Sequence, residues 1–232
     1  MKKENINKIF QSIATKYDLM NDLMSLGLHR KWKRDFINLL DLNSKKKICI
    51  LDLGCGTGDI ISFIKKNNRI NSNYSAYLVD PNIKMIKFGM KKLNEKNINW
   101  LSSYGERLPF KNNKFDIVTM SFSLRNVENI KETLNEINRV LKKNGQFLCL
   151  EFGKVKNLMI NSIYRVYSDN FIPKLGKSVT GEEGAYKYLV ESIKKFPSQE
   201  QLCKILKLRK FKEIKYHDLN FGVAVIYSCR KN

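Results

Sequence analysis

From residue 47 onward the chain switches repeatedly between two hydrophobic rhythms. Residues 47–53 (Lys-Ile-Cys-Ile-Leu-Asp-Leu) are a short, nearly continuous apolar run, the pattern of a strand buried on both faces. Helical spacing follows at Ile60, Phe63 and Ile64. Residues 74–80 read as a second strand. Ile83, Ile86, Met90 and Leu93 then recur at three- and four-residue steps, which predicts one apolar helix face. Residues 98–101 and 115–122 read as the third and fourth strands. Ile130, Leu134, Ile137, Val140 and Leu141 mark another amphipathic helix, with Asn144-Gly145 as its C-terminal stop. Residues 146–152 are a fifth strand. Strands alternating with helices predict an α/β fold with a doubly wound, mostly parallel sheet. The last two β-rich runs, 213–219 and 223–229, are joined only by Asn220-Phe221-Gly222. That link is too short for a helical crossover, so these strands form an antiparallel hairpin.

The 232 residues suit one large domain. With 43% hydrophobic residues there is enough apolar material for a core, and no run approaches the ~20 apolar residues of a membrane helix. The opening Met-Lys-Lys-Glu-Asn is not followed by an apolar stretch, so neither a signal peptide nor a transit peptide is expected. Cys49, Cys55, Cys149, Cys203 and Cys229 form no CxxC pair, and there are two histidines. No metal site is expected, and the scattered thiols suit a reducing compartment.

A net charge of +21 first points to nucleic acid or an anionic membrane. The composition argues otherwise for nucleic acid. Lysine supplies 34 of the 43 cations, arginine 9, and asparagine is abundant at 25. Codon bias in an AT-rich genome produces that profile, whereas base readout favours the bidentate fork of arginine. The lysines are also dispersed, so no specific nucleic-acid partner is expected. Peripheral affinity for anionic lipid stays compatible.

Asp52-Leu53-Gly54-Cys55-Gly56-Thr57-Gly58-Asp59 lies between the first strand and the first helix. Glycines there allow a sharp turn and close ligand approach, at the position where open α/β sheets bind ligands. The spacing is G-x-G-x-G, not the G-x-G-x-x-G of dinucleotide sites, and Asp59 at the helix start would oppose a pyrophosphate. Asp80, ending the second strand, is placed to take ribose hydroxyls. Loop, adjacent acid and second-strand acid together fit S-adenosyl-L-methionine.

Further segments carry a resemblance to a family. The stretch from Phe10 to Lys33, F-x-S-I-A-x-K-Y-D-x-M-N-D-L-M-S-L-G-L-H-R-x-W-K, resembles the N-terminal signature of the ubiquinone/menaquinone biosynthesis C-methyltransferases. Glu106-Arg107-Leu108-Pro109-Phe110, Ser121-Phe122-Ser123-Leu124-Arg125-Asn126-Val127, and Tyr186-Lys187-Tyr188-Leu189-Val190-Glu191-Ser192-Ile193 resemble its later motifs. Tyr104-Gly105 stands where the family usually has Asn-Ala, Ser123 where it has Gly, and Gly153 where it has Ser.

The resemblance implies a Rossmann-like class I methyltransferase with a seven-stranded sheet that methylates a ring carbon of a prenylated benzoquinol or naphthoquinol. It implies a single domain over 1–232: an N-terminal helical cover (1–44), a cofactor-binding core (45–152), a substrate-cover insertion (153–200), and a terminal helix with the β-hairpin (201–232). By matching motifs, Gly54, Gly56, Thr57, Gly58 and Asp59 line the methionine end of the cofactor. Asp80 takes the ribose, Gly105 and Glu106 the adenine end, and Ser121 lies near the cofactor. Arg125, by its fixed charge, is the candidate to stabilise a phenolate or poise a water. Asn126 is the candidate quinol partner, and Tyr17 and His29 are candidates to close over the ring. The apolar stretch 158–172, together with the N-terminal helix, is the candidate wall for a prenyl tail.

A cytoplasmic location is implied, peripheral to an inner membrane, or the mitochondrial matrix in a eukaryote. A homodimer and a quinone-biosynthesis complex both remain open. An RNA or other small-molecule methyltransferase and a nicotinamide oxidoreductase are the competing readings.

Overall fold

The protein is described by a computed structural model; the residues described are 22, 25, 27–42, 47–67, 74–157, 162 and 183–232. Tyr17 and the stretch 158–172, apart from residue 162, therefore lie outside them, as does most of the N-terminal cover.

Helix α1 (Leu28–Asn38) precedes a regular alternation: β1 (Ile48–Leu53), α2 (Asp59–Lys66), β2 (Tyr74–Val79), α3 (Ile83–Lys92), β3 (Ile98–Leu101), β4 (Phe115–Ser121), α4 (Ile130–Val140) and β5 (Leu141–Phe152). Helices α5 (Glu183–Lys195) and α6 (Gln199–Leu208) lead to β6 (Phe211–Leu219) and β7 (Ala224–Lys231). All seven strands share one sheet in the order β3-β2-β1-β4-β5-β7-β6. Strands β1 to β5 pair in parallel, and β7 runs antiparallel to both β5 and β6. The predicted α/β class, seven-stranded sheet and terminal hairpin are all found.

Apolar residues on one side of the sheet pack with Trp32, Phe36 and Ile37 of α1 and Ile60, Ile61 and Ile64 of α2. On the other side they pack with Leu134, Ile137 and Val140 of α4 and Leu202 and Leu206 of α6. The strand order reverses between β1 and β4, which leaves a crevice at their carboxyl ends, bordered by the glycine loop.

Polar side chains set the helix starts. Asn82 accepts from the amides of Lys84 and Met85 to begin α3, and Asn129 caps α4 in the same way. Ser198 and Gln201 form a capping box on α6. Helix α2 has no side-chain cap: Gly58 enters it at φ 82°.

Two local expectations are corrected. The α4 pattern does not run through Leu141 to an Asn144-Gly145 stop. The helix ends at Val140, and Leu141 already pairs with Phe115 in β5. Pairing with β4 satisfies the backbone there, and Asn144, at φ 61°, sits in an irregular stretch of the strand. The buried face of α3 is Met85, Ile86 and Gly89 rather than one including Ile83 and Met90, which are exposed. Gly89 sets that rotation. A Cβ there would lie 2.2 Å from the Trp100 ring, so the helix backbone itself packs on β3.

Helix α1 is tied to the sheet by more than apolar contact. The Trp32 indole donates to Asn220 Oδ1 at 2.6 Å. Gln146, on β5, donates to Leu39 O and accepts from the Asp41 amide.

Candidate functional site

The crevice holds an open cleft. The glycine-loop end of β1 (Leu53, Gly54, Gly56) forms one wall, and the end of β2 (Asp80, Pro81, Asn82) with Met85 forms another. The stretch 103–106 and the end of β4 with its following turn, from Met120 to Ser123 and from Asn126 to Glu128, complete it. A smaller cleft adjoins it, sharing Gly54, Gly56, Ser121 and Phe122, and adds Lys33, Asp52, Cys55, Thr57, Asp59 and Ile60.

The loop needs its glycines for two different reasons. Gly54, Gly56 and Gly58 all have positive φ, at 67°, 56° and 82°. A Cβ on Gly54 would also sit 2.4 Å from Ser123 Cβ, which would separate β1 from the turn after β4. Gly58 packs inward against Leu78, Leu93 and Trp100. It lines neither cleft, so its expected place beside the methionine end becomes a place under the loop.

Asp80 holds the loop in place. Its Oδ2 accepts from the Gly56 amide at 2.9 Å and its Oδ1 from the Asn82 amide at 2.8 Å. Burial raises its pKa, and those two amides oppose the rise. Thr57 Oγ1 donates to Asp59 Oδ1 at 3.2 Å, while Lys33 Nζ donates to Asp59 Oδ2 at 2.7 Å. Burial pushes the Asp59 carboxyl up, but Lys33 outweighs it by charge and by hydrogen bond, so the pKa lies below the ordinary value. The two residues form an ion pair between the end of the N-terminal segment and the glycine loop.

Asp52, to which the sequence motifs assign no separate role, lines the small cleft. It is 1% exposed. Its Oδ1 accepts from Thr119 Oγ1 at 2.8 Å, and its Oδ2 is buried with no hydrogen-bond partner among the described residues. Burial pushes its pKa to about 7, with Asp59 and Asp80 adding to the rise. The sequence signal was its place two residues before Gly54 at the end of a buried strand. Ser121 Oγ, on the neighbouring strand, is also buried and unpartnered. Buried polar atoms are rarely left unsatisfied. Two of them beside one cleft fit a polar ligand that supplies the missing partners.

The other candidates divide. Gly105 and Glu106 line the cleft, but Glu106 Oε1 accepts from the amides of Glu128 and Asn129 and so fixes the entry to α4. Asn126 lines the cleft, and its Oδ1 accepts from Tyr188 of α5 at 3.2 Å. Arg125 lines neither cleft. Its side chain is 4% exposed and its Nη1 donates to both oxygens of Glu151, which is fully buried. Its Nη1 also donates to Phe122 O. The expectation of an Arg125 charge free to face a phenolate is thereby corrected, because a carboxylate already matches that charge. His29 lines neither cleft: it is 7% exposed in α1 and bonded to Ser25 Oγ at 2.9 Å. Burial and the Lys33 charge lower its pKa, so it is neutral at pH 7. His29, the candidate to close over a ring, packs within the N-terminal helix and does not line either cleft.

Among the described residues no group of His, Cys, Asp and Glu could hold a metal ion. A glycine loop lined by carboxyls does not suit a phosphate. It suits a ligand with cationic groups and an adenosine-sized body.

Comparison with known proteins points to one family. The model of the ubiE/COQ5 methyltransferase family matches residues 1–231. The ubiquinone/menaquinone biosynthesis C-methyltransferase UbiE of Rickettsia bellii is 44% identical over 236 residues, covering 99% of this chain and 94% of that protein. Its counterpart in Rickettsia prowazekii is 44% identical over 232 residues, covering 97% and 92%. Among solved structures, a SAM-dependent methyltransferase of Thermotoga maritima aligns with TM-score 0.65 at 19% identity, covering 98% of this chain and 100% of that one. One from Aquifex aeolicus aligns with TM-score 0.62 at 17% identity, covering 94% and 98%. These structural likenesses concern the fold alone.

Proposed function

The chain belongs to the ubiE/COQ5 methyltransferase family, and from that premise we propose that it transfers a methyl group from S-adenosyl-L-methionine to a ring carbon of a prenylated quinol. The kinship with quinone-biosynthesis C-methyltransferases over nearly the whole chain carries this reading. The cleft, with its orphaned Asp52 and Ser121 oxygens, supports it.

The cofactor's sulfonium supplies an activated methyl group. The chain's own part is to bind, orient and exclude water. Asp80 is suited to the ribose hydroxyls and Gly105 to the adenine side. Asp52 and Asp59 are suited to an ammonium group, and Ser121 Oγ to a donor or acceptor between the two ends. Carbon methylation of an electron-rich ring needs no covalent intermediate. Its barrier falls mainly through orientation, which contributes ~7–11 kcal/mol in the best cases. The turn after β4 does the positioning on the substrate side. Phe122 and Asn126 face the cleft from it, and the Arg125–Glu151 pair holds it rigid.

The test is turnover with labelled cofactor and reduced benzoquinol and naphthoquinol acceptors. Label on the ring carbon of at least one is expected, and transfer to neither would overturn the reading. Asp80→Ala should weaken S-adenosylhomocysteine roughly tenfold or more, because it removes both the ribose partner and the anchor of the Gly56 amide. Unchanged calorimetric affinity would take Asp80 out of the site.

We also propose that the enzyme works at a membrane surface. No helix of the described residues is long and apolar enough to cross a membrane. A lipid-tailed substrate and a net charge of +21 favour attraction to anionic headgroups. Sedimentation with anionic liposomes should be strong at low salt and lost at high salt. Absence of binding at low salt would leave the charge with its compositional cause alone.

A further inference from the structure

We propose that Lys33, on helix α1, binds the carboxylate of the cofactor's amino acid end, so that the N-terminal segment completes the cofactor site. This rests on the S-adenosylmethionine reading above and adds a residue to it.

Three observations carry the proposal. The first is charge. S-adenosylmethionine ends in a zwitterion, with an ammonium and a carboxylate on one carbon. Among the described residues lining the two clefts Lys33 is the one cation, against Asp52, Asp59, Asp80, Glu106 and Glu128. Without Lys33 the charged groups lining the small cleft would be Asp52 and Asp59, both of which repel an incoming carboxylate. The helix start cannot replace it, because Asp59 occupies the first turn of α2 and opposes an anion there.

The second observation is place. The Lys33 side chain is 6% exposed, yet the residue lines the small cleft together with Asp52, Gly56 and Thr57. Its ammonium lies 2.7 Å from Asp59 Oδ2 and 5.8 Å from the centroid of the Phe63 ring. An ammonium has three donors, and Asp59 takes one of them. It can therefore hold a ligand carboxylate while Asp59 keeps it in position.

The third observation is that α1 has other anchors. Trp32, Phe36 and Ile37 are buried in the core, and Trp32 donates to Asn220. Docking the helix does not require a buried lysine; Asp59 offsets the cost of burying its charge and leaves its other donors for a ligand.

The test uses calorimetry with three ligands: S-adenosylhomocysteine, its decarboxylated analogue, and 5′-methylthioadenosine, which lacks the amino acid end. The intact protein should bind the decarboxylated analogue roughly ten- to a hundredfold more weakly than S-adenosylhomocysteine, the range of a hydrogen-bonded charge. Lys33→Met should lose a similar factor for S-adenosylhomocysteine, no longer discriminate between these two, and keep its affinity for methylthioadenosine. Lys33→Arg should recover most of the loss. The proposal is overturned if Lys33→Met still discriminates as the parent does, or weakens methylthioadenosine equally. Should that variant not fold, the parent alone decides: equal affinity for S-adenosylhomocysteine and its decarboxylated analogue also overturns it. A parent that binds none of the three ligands refutes the cofactor reading itself, a result distinct from all the others.

Discussion

Arg125→Met will cost the fold about 3–5 kcal/mol, because it leaves Glu151 charged and buried without its partner. The two side chains are 4% and 0% exposed. Nη1 reaches both Glu151 oxygens at 3.1 and 3.0 Å, and the Arg125 amide donates to the same carboxylate at 3.1 Å. Adding Glu151→Leu removes the stranded charge, so the double variant should regain most of that stability. Its activity should not return. The pair closes the turn from Phe122 to Asn126 through the Arg125 side chain and Phe122 O, and both ends of that turn face the cleft. A shift of about 1 Å in a positioning group can cost about a hundredfold in rate. S-adenosylhomocysteine affinity should change little, since Arg125 lines neither cleft. Urea unfolding, calorimetry and turnover on the two variants decide the matter. A single variant as stable as the parent, or a double variant with full turnover, would refute the positioning role.

The sheet was legible because buried parallel strands write themselves as unbroken apolar runs, and β1 at Ile48–Leu53 is such a run. The glycine loop was legible because positive φ demands a particular residue. What the sequence hid is long-range pairing. Lys33 and Asp59 are 26 positions apart, as are Arg125 and Glu151. Neither spacing belongs to a helix or strand period, so nothing in the chain announces that these charges meet. Arg125 accordingly reads as a free cation, and Lys33 as the last residue of the N-terminal signature with no role of its own. The exposed Ile83 and Met90 misled for a related reason: their spacing is helical, but the face they mark is not the one Gly89 turns toward β3. Asp52 was seen only as part of a motif, because its chemistry comes from burial, which no local pattern records.

That burial makes Asp52→Asn the substitution with opposite effects on stability and binding. The ordinary value of the group is 3.8, and the folded protein raises it to about 7, chiefly by desolvation. The fold therefore favours the neutral form. Its contribution to stability is full below about pH 4 and is lost as pH rises toward 7, by roughly 1.4 kcal/mol per pH unit. Asparagine keeps the oxygen that Thr119 bonds and has no charge to bury. At pH 8 the variant should thus be more stable than the parent by up to about 4 kcal/mol, and its stability should be flatter between pH 4 and 7. Binding should move the other way. A cationic cofactor end favours ionised Asp52, so the parent's affinity for S-adenosylhomocysteine should fall roughly tenfold per pH unit below 7 and level off above it. In the variant that slope should vanish, and affinity at pH 8 should lie roughly ten- to a hundredfold below the parent's, the worth of one charge-assisted hydrogen bond. Parental affinity constant from pH 6 to 8, or a variant that binds as the parent does, would mean that the unpartnered Oδ2 meets no ligand. A carboxyl kept neutral by burial, at a stability cost that grows from about pH 4 and is complete near pH 7, and ionised when a cation arrives, accounts for a buried acid beside a glycine loop with one oxygen left open.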